Sequence, residues 1–150
     1  MKTILLKIMT PEQLVSEQTV TQITLPIQDG IITIFPDHIP YIGALKAGEV
    51  IIHASENTKE EIAFAVSGGF VDFHDNALTL LADTAEYMEA IDIARAEEAR
   101  ERAALLMTGD HIDAEEYARA AASLERQLVR LRVARKHYTK RGVLGSSEEV

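Results

Sequence analysis

The chain has no cysteine and no tryptophan. Without thiols there is no disulfide scaffold, no zinc finger and no cysteine nucleophile. No apolar run reaches the roughly 18 residues that a membrane-spanning helix needs. At the N-terminus, Lys7 interrupts Ile4-Leu5-Leu6 after three residues, too soon for the core of a signal peptide, so a cytoplasmic protein is expected. Positive charge is also scarce, with 15 Lys and Arg against 24 Asp and Glu, a net charge of −9. That excludes the basic footprint of a general nucleic-acid binder. What remains is an ordinary globular balance over 150 residues, 47% hydrophobic and 26% charged.

The charge is unevenly spread. Residues 1–86 hold four Lys, no Arg and twelve acids; residues 87–150 hold eleven basic residues, nearly all Arg, and twelve acids. Arginine is the side chain suited to bidentate contact with carboxylate or phosphate. The two segments therefore read as two units with different roles, 1–86 and 87–150.

The first unit reads as sheet. Short apolar segments recur at Thr3–Met9, Thr19–Ile27, Ile31–Phe35, Glu49–Ala54, Glu61–Val66, Phe70–Phe73 and Ala77–Leu81. Between them stand turn formers such as Gln28-Asp29-Gly30, Pro36-Asp37-His38, Lys46-Ala47-Gly48, Ser67-Gly68-Gly69 and His74-Asp75-Asn76. Strands of about 4–8 residues so bounded are the pattern of an antiparallel β-sandwich. All four prolines fall in this unit and are expected at strand ends or turns.

After Tyr87 the composition turns to Ala, Glu and Arg, which are strong helix formers. Asp92 suits an N-cap or a first-turn acid, Gly109 a left-handed C-cap, and Asp113 with Glu116 a capping box opening a second helix. Tyr117, Ala121, Leu124, Leu128 and Leu131 then form an apolar stripe for a partner helix. The expected fold is α+β, a sandwich followed by a two-helix antiparallel hairpin with a flexible tail from about 142.

Catalytic and metal motifs are missing. The histidines show no HxxH or HExxH spacing, and no glycine-rich phosphate loop occurs. The turn acids Asp29, Asp37, Asp72, Asp75 and Asp83 read as solvated residues. His38 is a loop residue and a candidate for partner contact.

The hairpin carries the chemistry that does stand out. Asp92, Arg95 and Arg102 share one helix stripe, and Arg119, Arg126 and Arg130 share another. Two readings fit: converging guanidinium groups for a polyphosphate, or i,i+3 and i,i+4 ion pairs with acids such as Glu97, Glu98 and Glu125. Seven Lys or Arg without an acid occupy 126–141, among them Arg132, Arg135 and Lys136. An acidic partner surface would explain more of them than the helix dipole does.

Gly30-Ile31-Ile32-Thr33-Ile34-Phe35-Pro36-Asp37-His38-Ile39-Pro40, Leu45-Lys46-Ala47-Gly48, Ser67-Gly68-Gly69-Phe70-Val71-Asp72 and Asn76–Glu86 together resemble the epsilon subunit of bacterial F-type ATP synthases. The resemblance spans about residues 1–140; Thr33 and Asp37 stand where the family usually has glycine. It implies a non-catalytic, peripheral subunit of the proton-transporting enzyme on the cytoplasmic face of the cell membrane. In that family the sandwich binds the gamma subunit and the c-ring. The hairpin lies folded, or extends towards the alpha and beta subunits and inhibits ATP hydrolysis.

Ile91-Asp92-Ile93-Ala94-Arg95-Ala96 matches the family's ATP-binding motif I/L-D-x-x-R-A. By the same resemblance Glu86, Asp92, Arg95, Arg102, Arg126 and Arg130 would form a site for regulatory ATP, with Mg²⁺ involvement open. His38, Arg132, Arg135 and Lys136 would contact partners. The alternatives are a constitutive rotor clamp or inhibitor that does not sense ATP, a free-standing nucleotide sensor, and a sandwich enzyme using turn carboxylates.

Overall fold

The structure is a computed structural model; residues 2–54 and 60–145 are described here. The chain divides into two compact units, Met1–Tyr87 and Met88–Val150.

In the first unit eight strands follow in order: β1 Ile4–Met9, β2 Leu14–Val20, β3 Gln22–Ile27, β4 Gly30–Ile34, β5 Tyr41–His53, β6 Glu61–His74, β7 Ala77–Ala82 and β8 Ala85–Tyr87. Apolar residues at alternate positions set which face is buried. Ile4, Leu6 and Ile8 of β1, Ile23, Leu25 and Ile27 of β3, and Leu78, Leu80 and Ala82 of β7 all point into one core with Phe64 and Phe73. The strand order is β2-β1-β7-β6-β5-β3-β4, with β8 also paired to β6. This is the expected β-sandwich, except that β1 and β7 pair in parallel. Parallel neighbours need a long connection, and here the intervening strands supply it.

The sequence breaks at Lys46-Ala47-Gly48 and Ser67-Gly68-Gly69 do not end strands. They lie opposite each other within β5 and β6, with Ala47 paired to Ser67 and Leu45 to Gly69. Gly48 and Gly69 serve a close approach instead of a turn, Gly48 to Pro26 and Gly69 to Leu81. A Cβ on Gly69 would stand 1.9 Å from the Leu81 carbonyl oxygen, at φ +129. The expected segment Thr19–Ile27 is two elements: Thr19 and Val20 end β2 and Gln22–Ile27 is β3, while Leu14 to Gln18 are an unexpected strand whose Ser16, Glu17 and Gln18 hide the alternation. Pro26 lies inside β3, not at its end; the pairing of β3 with β5 shifts register between Thr24 and Ile27, where the missing N–H does no harm.

In the second unit a 3₁₀ turn, Met88–Ala90, precedes α1, Ile93–Met107, and α2, Ala114–Gly145. Asp92 caps α1, its Oδ1 accepting from the Arg95 backbone N–H at 3.1 Å. The capping box opens α2: Asp113 Oδ1 accepts from Glu116 N–H at 2.8 Å, and Glu116 Oε2 from Asp113 N–H at 3.2 Å. Two expectations are corrected. Gly109 is not a left-handed cap; α1 ends at Thr108, φ −92, whose hydroxyl and N–H both turn back to Leu105 O. The tail does not begin at 142, since α2 continues to Gly145. One glycine costs a helix only about 1 kcal/mol, too little to stop an established ladder. Residues 146–150 lie outside the described residues.

Candidate functional site

The two helices pack along small residues. Ala96 and Ala103 of α1 and Ala120 and Ala134 of α2 are buried, with Leu131 among them. Tyr117 and Leu128, expected in the packing stripe, are instead exposed at 47% and 43%. The buried set holds Ala120, three residues after Tyr117, and Gln127, one residue before Leu128, instead. Across the hairpin, Arg135 of α2 pairs with Glu97 of α1. A contact between the beginning of one helix and the far part of the other fixes the antiparallel arrangement.

The structure distributes the sequence-derived site residues as follows. Arg95 and Asp92 stand together at the start of α1, with Arg95 Nε 3.9 Å from Asp92 Oδ2 and both side chains more than half exposed. Arg102 lies two turns on, also exposed, 3.9 Å from Glu98. On α2, Arg126 is half-buried and makes no ion pair with any described residue. Arg130 is half-buried and donates to Gln127 Oε1 at 2.6 Å. Arg132, Arg135 and Lys136 are exposed on the same helix, Arg135 engaged by Glu97. Lys140 and Arg141 fall within α2, but their side chains lie outside the described residues. Glu86 belongs to the first unit, on β8 opposite Ala65.

An open groove of about 1000 Å³ runs at the turn end of the hairpin. Arg102 and Arg119 flank it and Ala103, Leu105, Leu106 and Ala120 contribute its apolar wall. Arg95, Arg126 and Arg130 do not line it. So Arg102 and Arg119 share one concave surface, while Asp92 and Arg95 share another place, nearer the start of α1. Gln127, a buried polar side chain, was not singled out from sequence; a Gln in register with buried alanine and leucine positions is the signal that could have found it. Among the described residues no group of three or more His, Asp or Glu could hold a metal ion, and no helix is long and apolar enough to cross a membrane.

The sandwich has a second candidate, an interaction surface. Leu14 pairs with Met9, Met9 with Leu81, Leu81 with Phe70, and Phe70 with Ala44. Paired residues in a sheet share a face, so these form one row across β2, β1, β7, β6 and β5. The row is exposed: Phe70 at 62%, Leu14 and Leu81 at 50%. Beside it on β5 is Ile42, at 78%. Contiguous exposed apolar surface of this kind marks a docking face.

His38 sits in the loop between β4 and β5. Its ring edge meets Phe73 at 5.9 Å between centroids, and its Nδ1–H donates to the Ile39 carbonyl oxygen at 2.7 Å. Asp37, next to it, has its carboxyl held below the usual range, first by the hydrogen bond from Lys2 and then by that from Asn76.

The family model of the ATP synthase delta/epsilon chain beta-sandwich domain matches residues 3–88. The ATP synthase epsilon chain of Nitratidesulfovibrio vulgaris is 39% identical over 134 residues, covering 88% of this chain and 96% of that one. That of Chloroflexus aggregans is 40% identical over 137 residues, with 91% and 95% covered. Among solved structures, a chain of the Euglena gracilis mitochondrial ATP synthase superposes with a TM-score of 0.69 at 19% identity, over 83% of this chain and 77% of that one. At that identity the likeness speaks for the fold alone. The sandwich match and the near full-length identity agree: this chain belongs to the family of ATP synthase epsilon chains.

Proposed function

We propose that the chain is the central-stalk epsilon subunit of a proton-transporting F-type ATP synthase, whose sandwich docks on the gamma subunit and the c-ring. As an epsilon chain it is non-catalytic. It would sit peripherally, on the cytoplasmic face of the membrane. The observation that carries the docking is the apolar row Leu14–Met9–Leu81–Phe70–Ala44, which a monomer has no reason to leave open. The test is binding of purified gamma to the full chain and to a Phe70→Asp variant. Binding by the wild type and loss in the variant are expected. Equal binding by both, or none by either, would overturn the assignment of this face.

The finer role belongs to the hairpin. We infer that it binds ATP as a regulatory ligand and that, with the ligand gone, the basic second helix reaches the alpha and beta subunits and inhibits hydrolysis. The weak pairing of the individual donors suits a polyphosphate, although Arg102 lies on the groove and Arg95 nearer the start of α1. Arg95 is 85% exposed beside a weak contact to Asp92, and Arg126 carries no ion pair with a described residue. Among the described residues Arg102 has only a distant, exposed ion-pair partner in Glu98. Exposed pairs of this kind are worth roughly 0–1 kcal/mol, little enough for a triphosphate to displace.

In this scheme Asp92 holds the first turn of α1, and thereby Arg95, while arginines of α1 and α2 neutralise the ligand's charge. ATP would then favour the paired helices by about RT ln(1 + [ATP]/Kd). Calorimetric titration of ATP into the full chain, Arg95→Ala and Arg126→Ala tests this. Binding near or below millimolar, lost in both variants, is expected. No binding at millimolar ATP would leave the second reading, a constitutive clamp or inhibitor. That reading is favoured by the Glu97–Arg135 pair and the buried alanine seam, which join the helices without a ligand.

A further inference from the structure

The segment between β4 and β5, Phe35 to Pro40, displays apolar side chains to solvent yet is fastened along its length. Phe35 is 53% exposed and Ile39 75%. A short exposed loop with such side chains would ordinarily sample many conformations, and a partner would have to order it on binding.

Here the ordering is built in. Asp37 adopts φ +64, a left-handed conformation uncommon for any residue but glycine and best tolerated by Asn and Asp. Its backbone N–H donates to Asn76 Oδ1 at 2.6 Å, and Asn76 Nδ2 donates back to Asp37 Oδ1 at 3.0 Å. The other carboxylate oxygen, Oδ2, pairs with the Lys2 ammonium. Asn76 is itself left-handed, φ +56, in the two-residue Asp75-Asn76 turn that joins β6 to β7. That turn has positive φ at both residues and is therefore a rigid hairpin connection. The next residue continues the fastening: His38 N–H donates to the Phe35 carbonyl at 3.2 Å, and its ring abuts buried Phe73.

The loop is continuous with the apolar row. Ile42, two residues before Ala44 on β5, shares its face and lies opposite Asp72, two residues beyond Phe70. Whatever covers Phe70 and Ala44 reaches the loop without crossing a strand.

We propose that Asp37 is a positioning residue for docking on gamma: by its reciprocal hydrogen bonds with Asn76 it holds the β4–β5 loop in the conformation that presents Ile39 to the partner. The inference rests on the assignment of the apolar row to gamma. Asp37 does not touch the partner in this account; it acts through Ile39.

The experiment measures gamma binding to the full chain and to Asp37→Gly, Asp37→Asn, Ile39→Ser and the Asp37→Gly/Ile39→Ser double variant. Glycine accepts φ +64 without strain and keeps the backbone N–H donation to Asn76 Oδ1, so Asp37→Gly removes the side-chain half of the lock, the contacts with Asn76 Nδ2 and Lys2. Its affinity should fall about tenfold, the scale of ordering one or two rotamer-rich residues on binding. Asp37→Asn, which tolerates the conformation and retains amide partners for Asn76, should bind within about twofold of wild type. In the Ile39→Ser background, Asp37→Gly should cost nothing further, because the group it positions is gone. An unchanged affinity for Asp37→Gly, or the same loss with and without Ile39, would overturn the proposal while leaving the docking face intact. Failure of the wild type to bind gamma would instead overturn the docking face, and this proposal with it.

Discussion

Glu97 near the start of α1 and Arg135 far along α2 form an ion pair across the hairpin, 38 positions apart in sequence. Both side chains are partly exposed, at 42% and 55%, so solvent screens the pair. It orients the two helices more than it binds them; the buried seam of Ala96, Ala103, Ala120 and Ala134 supplies the packing. Glu97→Ala and Arg135→Ala should each weaken helix pairing by no more than about 1 kcal/mol. The double variant should cost less than the sum, as a double-mutant cycle on thermal unfolding would show.

Ala103→Leu should cost far more. Position 103 is 3% exposed where the helices meet. Overpacking a well-filled seam costs roughly 1–3 kcal/mol. Helix content should persist by circular dichroism, while exchange of amides in α1 accelerates.

Among the glycines of the described residues, Gly69 is the one whose added Cβ would come nearest to backbone. Its would-be Cβ meets the Leu81 carbonyl, and its φ of +129 is one that side-chain-bearing residues rarely adopt. Gly69→Ala should destabilise the sandwich by at least about 2 kcal/mol. For a unit of this size that is a fall in Tm of about 8 °C or more. Gly30→Ala, where no atom stands within 4 Å, should cost less, since only the strain at φ +137 remains.

Asp37 should titrate below the usual carboxylate range, because Lys2 and Asn76 both favour its ionised form. A depressed carboxyl pKa contributes stability that is present above the unfolded value. That contribution is lost as the pH falls through the lower folded one. Carboxyl chemical shifts followed between neutral and strongly acid pH should place its midpoint below that of exposed aspartates. Lys2→Ala should move it back upward, since the Lys2 hydrogen bond is the largest cause.

Much of this was legible from residue order. The alternation in Ile23-Thr24-Leu25 gave β3, and Asp92 at the head of a run of helix formers gave the cap of α1. Asp113 and Glu116 gave the start of α2. Strand β2 was hidden by its polar residues, and Gly48 and Gly69 read as turns because a close approach, to Pro26 of β3 and to Leu81 of β7, leaves the same local sign as a chain reversal. The apolar row was beyond reach from sequence, since Met9, Phe70 and Leu81 become neighbours only through register. In the hairpin, the arginine stripes were visible, but periodicity alone put Tyr117 and Leu128 where Ala120 and Gln127 are buried.

The proposed division of labour, a docking sandwich and a regulatory hairpin, is tested most directly in the assembled complex. ATP hydrolysis should be compared between complexes carrying the full chain and a chain ending at Tyr87, the boundary between the two compact units. The account requires the shortened chain to assemble and its complex to hydrolyse ATP faster, with the difference widening as ATP is lowered. Equal rates in the two complexes at every ATP concentration would contradict it.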